Sequence, residues 1–227
     1  MIIGRRFNGP PDSGNGGYTA GLIAAEVPVE AGMVPQVTLR RPPPLETELR
    51  LRPGTPTLAV LAGDDLIAEA TPVAPADPTT APAPVSWDDA QAAADAYPGF
   101  AHHPFPTCYV CGPRRPEHDG LNIFPGRLAD GRTAATWRVP PAGVDPVTVW
   151  AALDCPGGWA VLSPARPYVL GRIAAQITRL PTPGEQCVVT GATREQVGRK
   201  AQVRTALYGA GPGQPLLAHA AATWIAL

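Results

Sequence analysis

Asp154 is followed by Cys155-Pro156-Gly157-Gly158, and near the start of the chain Asn15-Gly16-Gly17-Tyr18 has the same glycine pair. A carboxylate at a helix start can orient or deprotonate water. Backbone N–H groups at a helix N-terminus can hold an oxyanion. Gly16, Gly17, Gly157 and Gly158 would let a substrate carbonyl approach the backbone closely. The competing role for Asp154 is to cap its own helix ahead of Pro156. Cys155 beside it would be a nucleophile only with a base, and no histidine has a context that marks it as that base.

The sharpest local motif is Cys108-Tyr109-Val110-Cys111-Gly112. Two cysteines at this spacing supply half of a zinc knuckle, and His102, His103 and His118 lie close enough in sequence to complete one. A redox role would want the motif at a helix start in a βαβ unit, which the sequence lacks. The third alternative is a tight loop with two packed thiols. Arg40, Arg41, Arg114 and Arg115 are candidate phosphate contacts. His219 is expected to face a polar sheet surface.

The elements that position these residues repeat. The Asn15–Ala20 stretch is answered by Pro156–Val161, Gln36–Pro42 by Gln176–Pro181, and Leu66–Ala70 by Leu216–Ala220, in the same order. A small-residue helix is expected over Tyr18–Glu26, followed by strands near Val34–Thr38, Thr47–Leu51, Thr57–Leu61 and Leu66–Thr71. The second copy opens with a strand at Ala134–Val139. Its helix over Val147–Leu162 is open to interruption at Pro156, and strands follow near 172–179, 186–193, 201–208 and 216–225. Each half reads as one helix with its own antiparallel sheet, an α+β architecture and a pseudo-dimer whose seam is a natural site and is expected to place Asp154 opposite the first helix's N-terminus, near Gly17. The units are expected at 1–75 and 131–227. Between them lie a Pro/Ala-rich extended linker over 72–86, a short helix over Trp87–Ala96, and an irregular insert at about 97–126 that should pack on the second half.

Composition bounds the rest. The 227 residues are 44% hydrophobic with net charge −1, which gives no electrostatic case for nucleic acid. Gly (24) and Pro (30) are abundant, yet strand-like apolar runs recur, so the chain is expected to fold. Lys200 is the only lysine, and with so much Ala and Pro the composition suggests a GC-rich bacterial genome. No signal peptide or membrane span is read, so a cytoplasmic setting is expected, with the four cysteines as thiols.

Phe7 with Asn15-Gly16-Gly17-Tyr18, then Gln36-Val37-Thr38-Leu39-Arg40-Arg41-Pro42, resembles the thioesterase-like superfamily of hotdog folds. The likeness is strongest to the double-hotdog group that includes the type II acyl-CoA thioesterases. It covers most of 1–73 and 134–227 and leaves 97–126 unexplained. It implies a double hotdog, in which antiparallel sheet wraps long helices, and hydrolysis of an acyl-CoA or acyl-carrier thioester without a required cofactor. It also implies catalysis by the Asp near the start of the second helix, here Asp154. The substrate is expected at Asn15, Gly16, Gly17, Tyr18, Gly157 and Gly158. The family adds a Thr or Ser on a second-half strand and a Gln on the last strand. Those positions read Ile173-Ala174-Ala175-Gln176 and His219-Ala220-Ala221-Ala222-Thr223 here. Two further readings stand beside hydrolysis: a non-catalytic acyl- or CoA-binding protein, and a structural protein whose insert holds zinc at Cys108 and Cys111. A homo-oligomer is compatible with all three.

Overall fold

The computed structural model describes residues 1–116, 119–163 and 166–227. The first half runs α1 (Gly16–Ala24), β1 (Val34–Leu39), β2 (Arg50–Arg52), β3 (Leu58–Ala62) and β4 (Asp65–Val73). After α2 (Trp87–Asp95) come β5 (Gly126–Arg127), β6 (Thr133–Arg138), α3 (Pro146–Ala152) and α4 (Cys155–Trp159). The chain ends with β7 (Tyr168–Ile177), β8 (Gln186–Val197), β9 (Lys200–Gly209) and β10 (Leu216–Ala226).

The expected two sheets are one. All ten strands join in the order β2-β3-β4-β1-β7-β10-β9-β8-β6-β5. Every pairing is antiparallel, and β1 and β7 meet at the centre through Gln36–Ala174, Val37–Ile173 and Thr38–Arg172. The order β2-β3-β4-β1 is mirrored by β8-β9-β10-β7, so the repeat is a pseudo-two-fold about that central pair.

The structure also corrects how the repeat aligns. Arg40 and Arg41 N–H both donate to Ile67 O, and Thr178 and Arg179 N–H both donate to Leu217 O. Arg40 therefore corresponds to Thr178, and Gln36 to Ala174, the residue it pairs with. The sequence alignment of Gln36 with Gln176 is two residues out. Side chains in a strand alternate with a period of two, so a slip of two keeps every face and leaves no mark on the pattern.

Strand β2 starts later than expected. Leu49 N–H donates to Met1 O and Glu46 N–H to Ile3 O, so residues 46–49 are taken up by the N-terminal segment before β3 can pair. Ile2 bridges Glu48 there, much as β6 flanks β8 at the opposite end.

Small residues decide how the helices meet. A Cβ on Gly17 would lie 2.5 Å from Asp154 Cβ, and one on Gly21 2.9 Å from Trp150 Cβ, so α1 and α3 pack at a separation that only glycine allows. The poor helix propensity of these glycines is offset by burial and by Asn15, whose Oδ1 accepts from Tyr18 N–H at 2.8 Å. Asp145 caps α3 and Pro146 stands at its first turn. The second helix breaks at Leu153–Asp154, two residues before Pro156. A proline ring clashes with the carbonyl four residues earlier, which is that of Ala152, where α3 ends.

On the opposite face of the sheet, Ala90 and Ala93 of α2 pack on Ala134 and Val188. The linker lies against the second half. Pro82 O accepts from Thr190 Oγ1 at 3.1 Å and from Tyr208 OH at 2.9 Å.

One surface pair gives a pH signature. Glu185 accepts from Arg179 at 2.7 and 3.0 Å and from Thr182 N–H at 2.7 Å, and this holds its carboxyl down at about 2, against an ordinary 4.5. A depressed folded value means stability that is complete above the ordinary value and is lost as pH falls through about 2. The pair is partly exposed, so the effect stays within about 1 kcal/mol. Melting temperatures of wild type and Glu185→Gln should differ at about pH 6 and converge towards pH 2. A constant difference would remove the pair from the acid response.

Candidate active site

The break between α3 and α4 leaves Asp154 outside regular helix, 3% exposed, against the start of α1. Its Oδ2 accepts from Asn15 Nδ2 at 2.9 Å and from Gly17 N–H at 3.0 Å. It makes no side-chain hydrogen bond to its own helix start, so the capping role expected for it belongs to α1, across the seam. Oδ1 is buried and has no partner among the described residues. Burial pushes the carboxyl up to about 7, against the pull of the Gly17 and Asn15 donors. Gly16 N–H, one residue before the Gly17 donor, has no protein acceptor among the described residues.

Asp154, Asn15 and Gly16 stand on the wall of a cavity of about 520 Å³. Its walls are mainly apolar, including Trp159, Leu162, Leu170 and Trp224, and Arg40 and Arg41 line it as well. A volume of this size suits a small organic ligand. Both arginines are half-exposed and paired, Arg40 with Glu69 and Arg41 with Asp65.

The remaining sequence candidates divide. Gly158 lines the cavity, whereas Gly17, Tyr18 and Gly157 do not stand among its described lining residues. Gly157 packs on the sheet, where a Cβ would meet Val203 and Thr205 within 2.9 Å. Tyr18 stacks on Phe7 at 3.9 Å, with the edge of Tyr109 against both rings. His219 is 3% exposed, not on an open sheet surface, and its Nε2 meets Gln176 Oε1 at 3.2 Å. His102 is exposed, and His118 lies outside the described residues.

The insert packs on both halves, beyond the second-half contact expected of it. Tyr109 N–H donates to Asn8 O. Arg115, whose side chain is 5% exposed, donates to Arg6 O, Asn8 Oδ1, Thr107 O, and both the carbonyl and carboxylate of Asp119 at 2.6–2.8 Å. It is therefore a staple and has no donor left for a phosphate. Arg115→Lys puts a point charge where a planar fork is needed and should cost about 2–3 kcal/mol, or roughly 5–10 °C in melting temperature. An unchanged melting temperature would sink the staple role.

The sulfur of Cys155 was not associated with the Cys108–Cys111 motif by sequence. Its Sγ lies 3.8 Å from Cys108 Sγ, and the sulfurs of Cys108, Cys111 and Cys155 all lie within 4.8 Å of one another. All three are buried, line the cavity, and form a cluster that could hold a metal ion. His103 stands beside it. Its Nδ1 accepts from Phe105 N–H at 2.8 Å, so the ring hydrogen sits on Nε2, 3.3 Å from Cys111 Sγ. Desolvation lowers the His103 pKa and keeps that ring neutral. Three thiols this close cannot all ionise. Hydrogen bonds from Cys111 and Cys155 hold Cys108 low, burial raises Cys111, and hydrogen bonds with Cys108 and Cys111 raise Cys155.

No protein-family model matches this sequence, and no curated protein does. Solved structures match along its whole length. A candidate thioesterase from Novosphingobium aromaticivorans superposes with a TM-score of 0.59 at 14% identity, covering 99% of this chain and 93% of its own. The tesB protein of Mycobacterium avium subsp. paratuberculosis gives 0.55 at 13% identity over 96% and 89%. A hotdog-fold protein of unknown function from Alicyclobacillus acidocaldarius gives 0.57 at 14% identity over 95% and 88%. The chain is a double hotdog. At these identities the likeness is one of fold, and the chemistry of this double hotdog has to be argued from its own seam. Among its described residues no helix is long and apolar enough to cross a membrane.

Proposed function

We propose that this double hotdog hydrolyses an acyl thioester, with Asp154 as the base that activates water. The observation that carries the reading is that Asp154, whose Oδ1 has no partner among the described residues, and Gly16, whose N–H has no acceptor among them, stand on one wall of an apolar cavity. Water held at Oδ1 gives up a proton to it as its oxygen attacks the thioester carbonyl. The charge that develops on the carbonyl oxygen is met by Gly16 N–H at the helix N-terminus. Collapse expels the thiolate, which takes the proton back from Asp154. Asn15 and Gly17 fix the carboxylate so that Oδ1 is the oxygen left for water. Every group this step uses belongs to the chain or to water.

The apolar walls suit a fatty or related acyl chain, and Arg40 and Arg41, which line the cavity, could receive the phosphates of a coenzyme A carrier. The test is a screen of short-, medium- and long-chain acyl-CoAs with thiol release as readout. Turnover of at least one is expected. Saturable binding without turnover across the series would replace hydrolysis with the non-catalytic acyl-binding reading.

A further inference from the structure

The thiol cluster joins two parts of the chain that share no secondary structure. Cys108 and Cys111 lie in the insert loop, and Cys155 is the first residue of α4, directly after Asp154. Four ligands about 2.3 Å from a zinc ion sit on a tetrahedron with edges of about 3.8 Å. The Cys108–Cys155 sulfur separation is 3.8 Å, and no pair exceeds 4.8 Å. The surroundings are those of a thiolate rather than of packed apolar thiols. The Asn15 amide faces Cys108 Sγ at 3.8 Å. His103 Nε2–H faces Cys111 Sγ at 3.3 Å. Donors turned towards sulfur are the outer-shell arrangement that thiolate–metal sites use.

We propose that Cys108, Cys111 and Cys155 bind one divalent thiophilic metal ion of the Zn²⁺ class, with the fourth coordination position facing the cavity. Among the described residues no fourth His, Cys, Asp or Glu ligand atom lies within 4.8 Å of all three sulfurs. His103 cannot serve while Phe105 N–H holds its Nδ1, because its Nε2 then carries hydrogen. Asp154 Oδ2 is engaged by Asn15 and Gly17. The three cysteines themselves line the cavity, so the vacant position opens into it. Three protein ligands with one position open is the pattern of a zinc site that admits an outside ligand. The ion would also tie the insert to the start of α4 and so fix the helix break that carries Asp154. The proposal stands independently of the hydrolytic reading.

The test is titration of the reduced full-length protein with Co²⁺, followed by absorption. One equivalent should bind, with thiolate-to-cobalt charge transfer and the visible bands of four-coordinate cobalt, and one equivalent of Zn²⁺ should bleach them. Cys155→Ser should weaken binding by more than the roughly 10–100-fold that loss of an outer-shell partner costs. Cys187→Ala, on β8, should bind as wild type. Added 2-mercaptoethanol should shift the visible bands by entering the open position. Absence of the thiolate–cobalt band from folded, reduced wild type would overturn the site. Undiminished binding by Cys155→Ser would remove its third ligand. Bands unmoved by thiol would overturn the open position. The first and last readings need no variant and no activity, so loss of hydrolysis and loss of the metal site remain separable.

Discussion

Asp154→Asn should lower turnover by about 10²–10⁴-fold, the usual worth of a positioned general base, and leave the fold intact. The geometry makes this substitution unusually clean. The asparagine carbonyl can take the place of Oδ2 and keep the hydrogen bonds from Gly17 N–H and Asn15 Nδ2. Its amide then occupies the site of Oδ1, which has no partner to lose among the described residues. No charge is left to bury, so the melting temperature should hold or rise. Asp154→Ala acts differently. It strips the acceptor from two buried donors, and each orphan costs about 1–3 kcal/mol. A purely structural Asp154 predicts that the alanine variant is damaged while the asparagine variant hydrolyses like wild type. A catalytic Asp154 predicts that the asparagine variant is stable and slow. Wild-type turnover in Asp154→Asn would end the base assignment.

What the sequence could show of this molecule follows from distance along the chain and from periodicity. The helix entry at Asn15–Tyr18 was legible because it is local: an amide that caps, then glycines. The strands β4 and β10 were legible because their small and apolar residues recur in both halves. The central joint was not. Val37 meets Ile173 only after two copies have folded, and a two-residue slip in aligning β1 with β7 leaves every side chain on its own face. The helix break was placed at Pro156 because proline is the visible breaker, whereas the cost falls on the carbonyl four residues back.

The site divides in the same way. Asp154 and Gly16 could be named from residue type and from the resemblance. The repeat also places Asp154 opposite the start of α1, near Gly17; the direct bond from Asn15 was not legible, because it joins residues 139 apart that meet only across the seam. The sulfur cluster escapes for the same reason: Cys155 reads as a neighbour of Asp154, while Cys108, whose sulfur lies 3.8 Å from its own, is 47 residues away. Arg115 misled in the opposite direction. An arginine in a polar loop reads as solvated or phosphate-binding, and only the fold shows five acceptors converging on it.

Gly17→Ala tests the seam itself. In an ordinary helix the change from glycine to alanine stabilises by about 1 kcal/mol. Here the added Cβ would lie 2.5 Å from Asp154 Cβ, 2.7 Å from Trp150 O and 3.1 Å from Ala151 Cα. Two of those atoms are backbone, so no side-chain rotation relieves the contact, and α1 must move away from the end of α3. Overpacking of this kind costs about 1–3 kcal/mol and occasionally more, and contacts with backbone favour the upper end. Net loss should therefore be about 2 kcal/mol, or roughly 4–8 °C in melting temperature for a chain of this length. The same movement stretches the bond from Gly17 N–H to Asp154 Oδ2, so the protein that remains folded should also hydrolyse more slowly. The sign of the stability change is decisive. A rise in melting temperature, as helix propensity alone requires, would mean that α1 and α3 do not approach this closely and that Asp154 is not held against the N-terminus of α1.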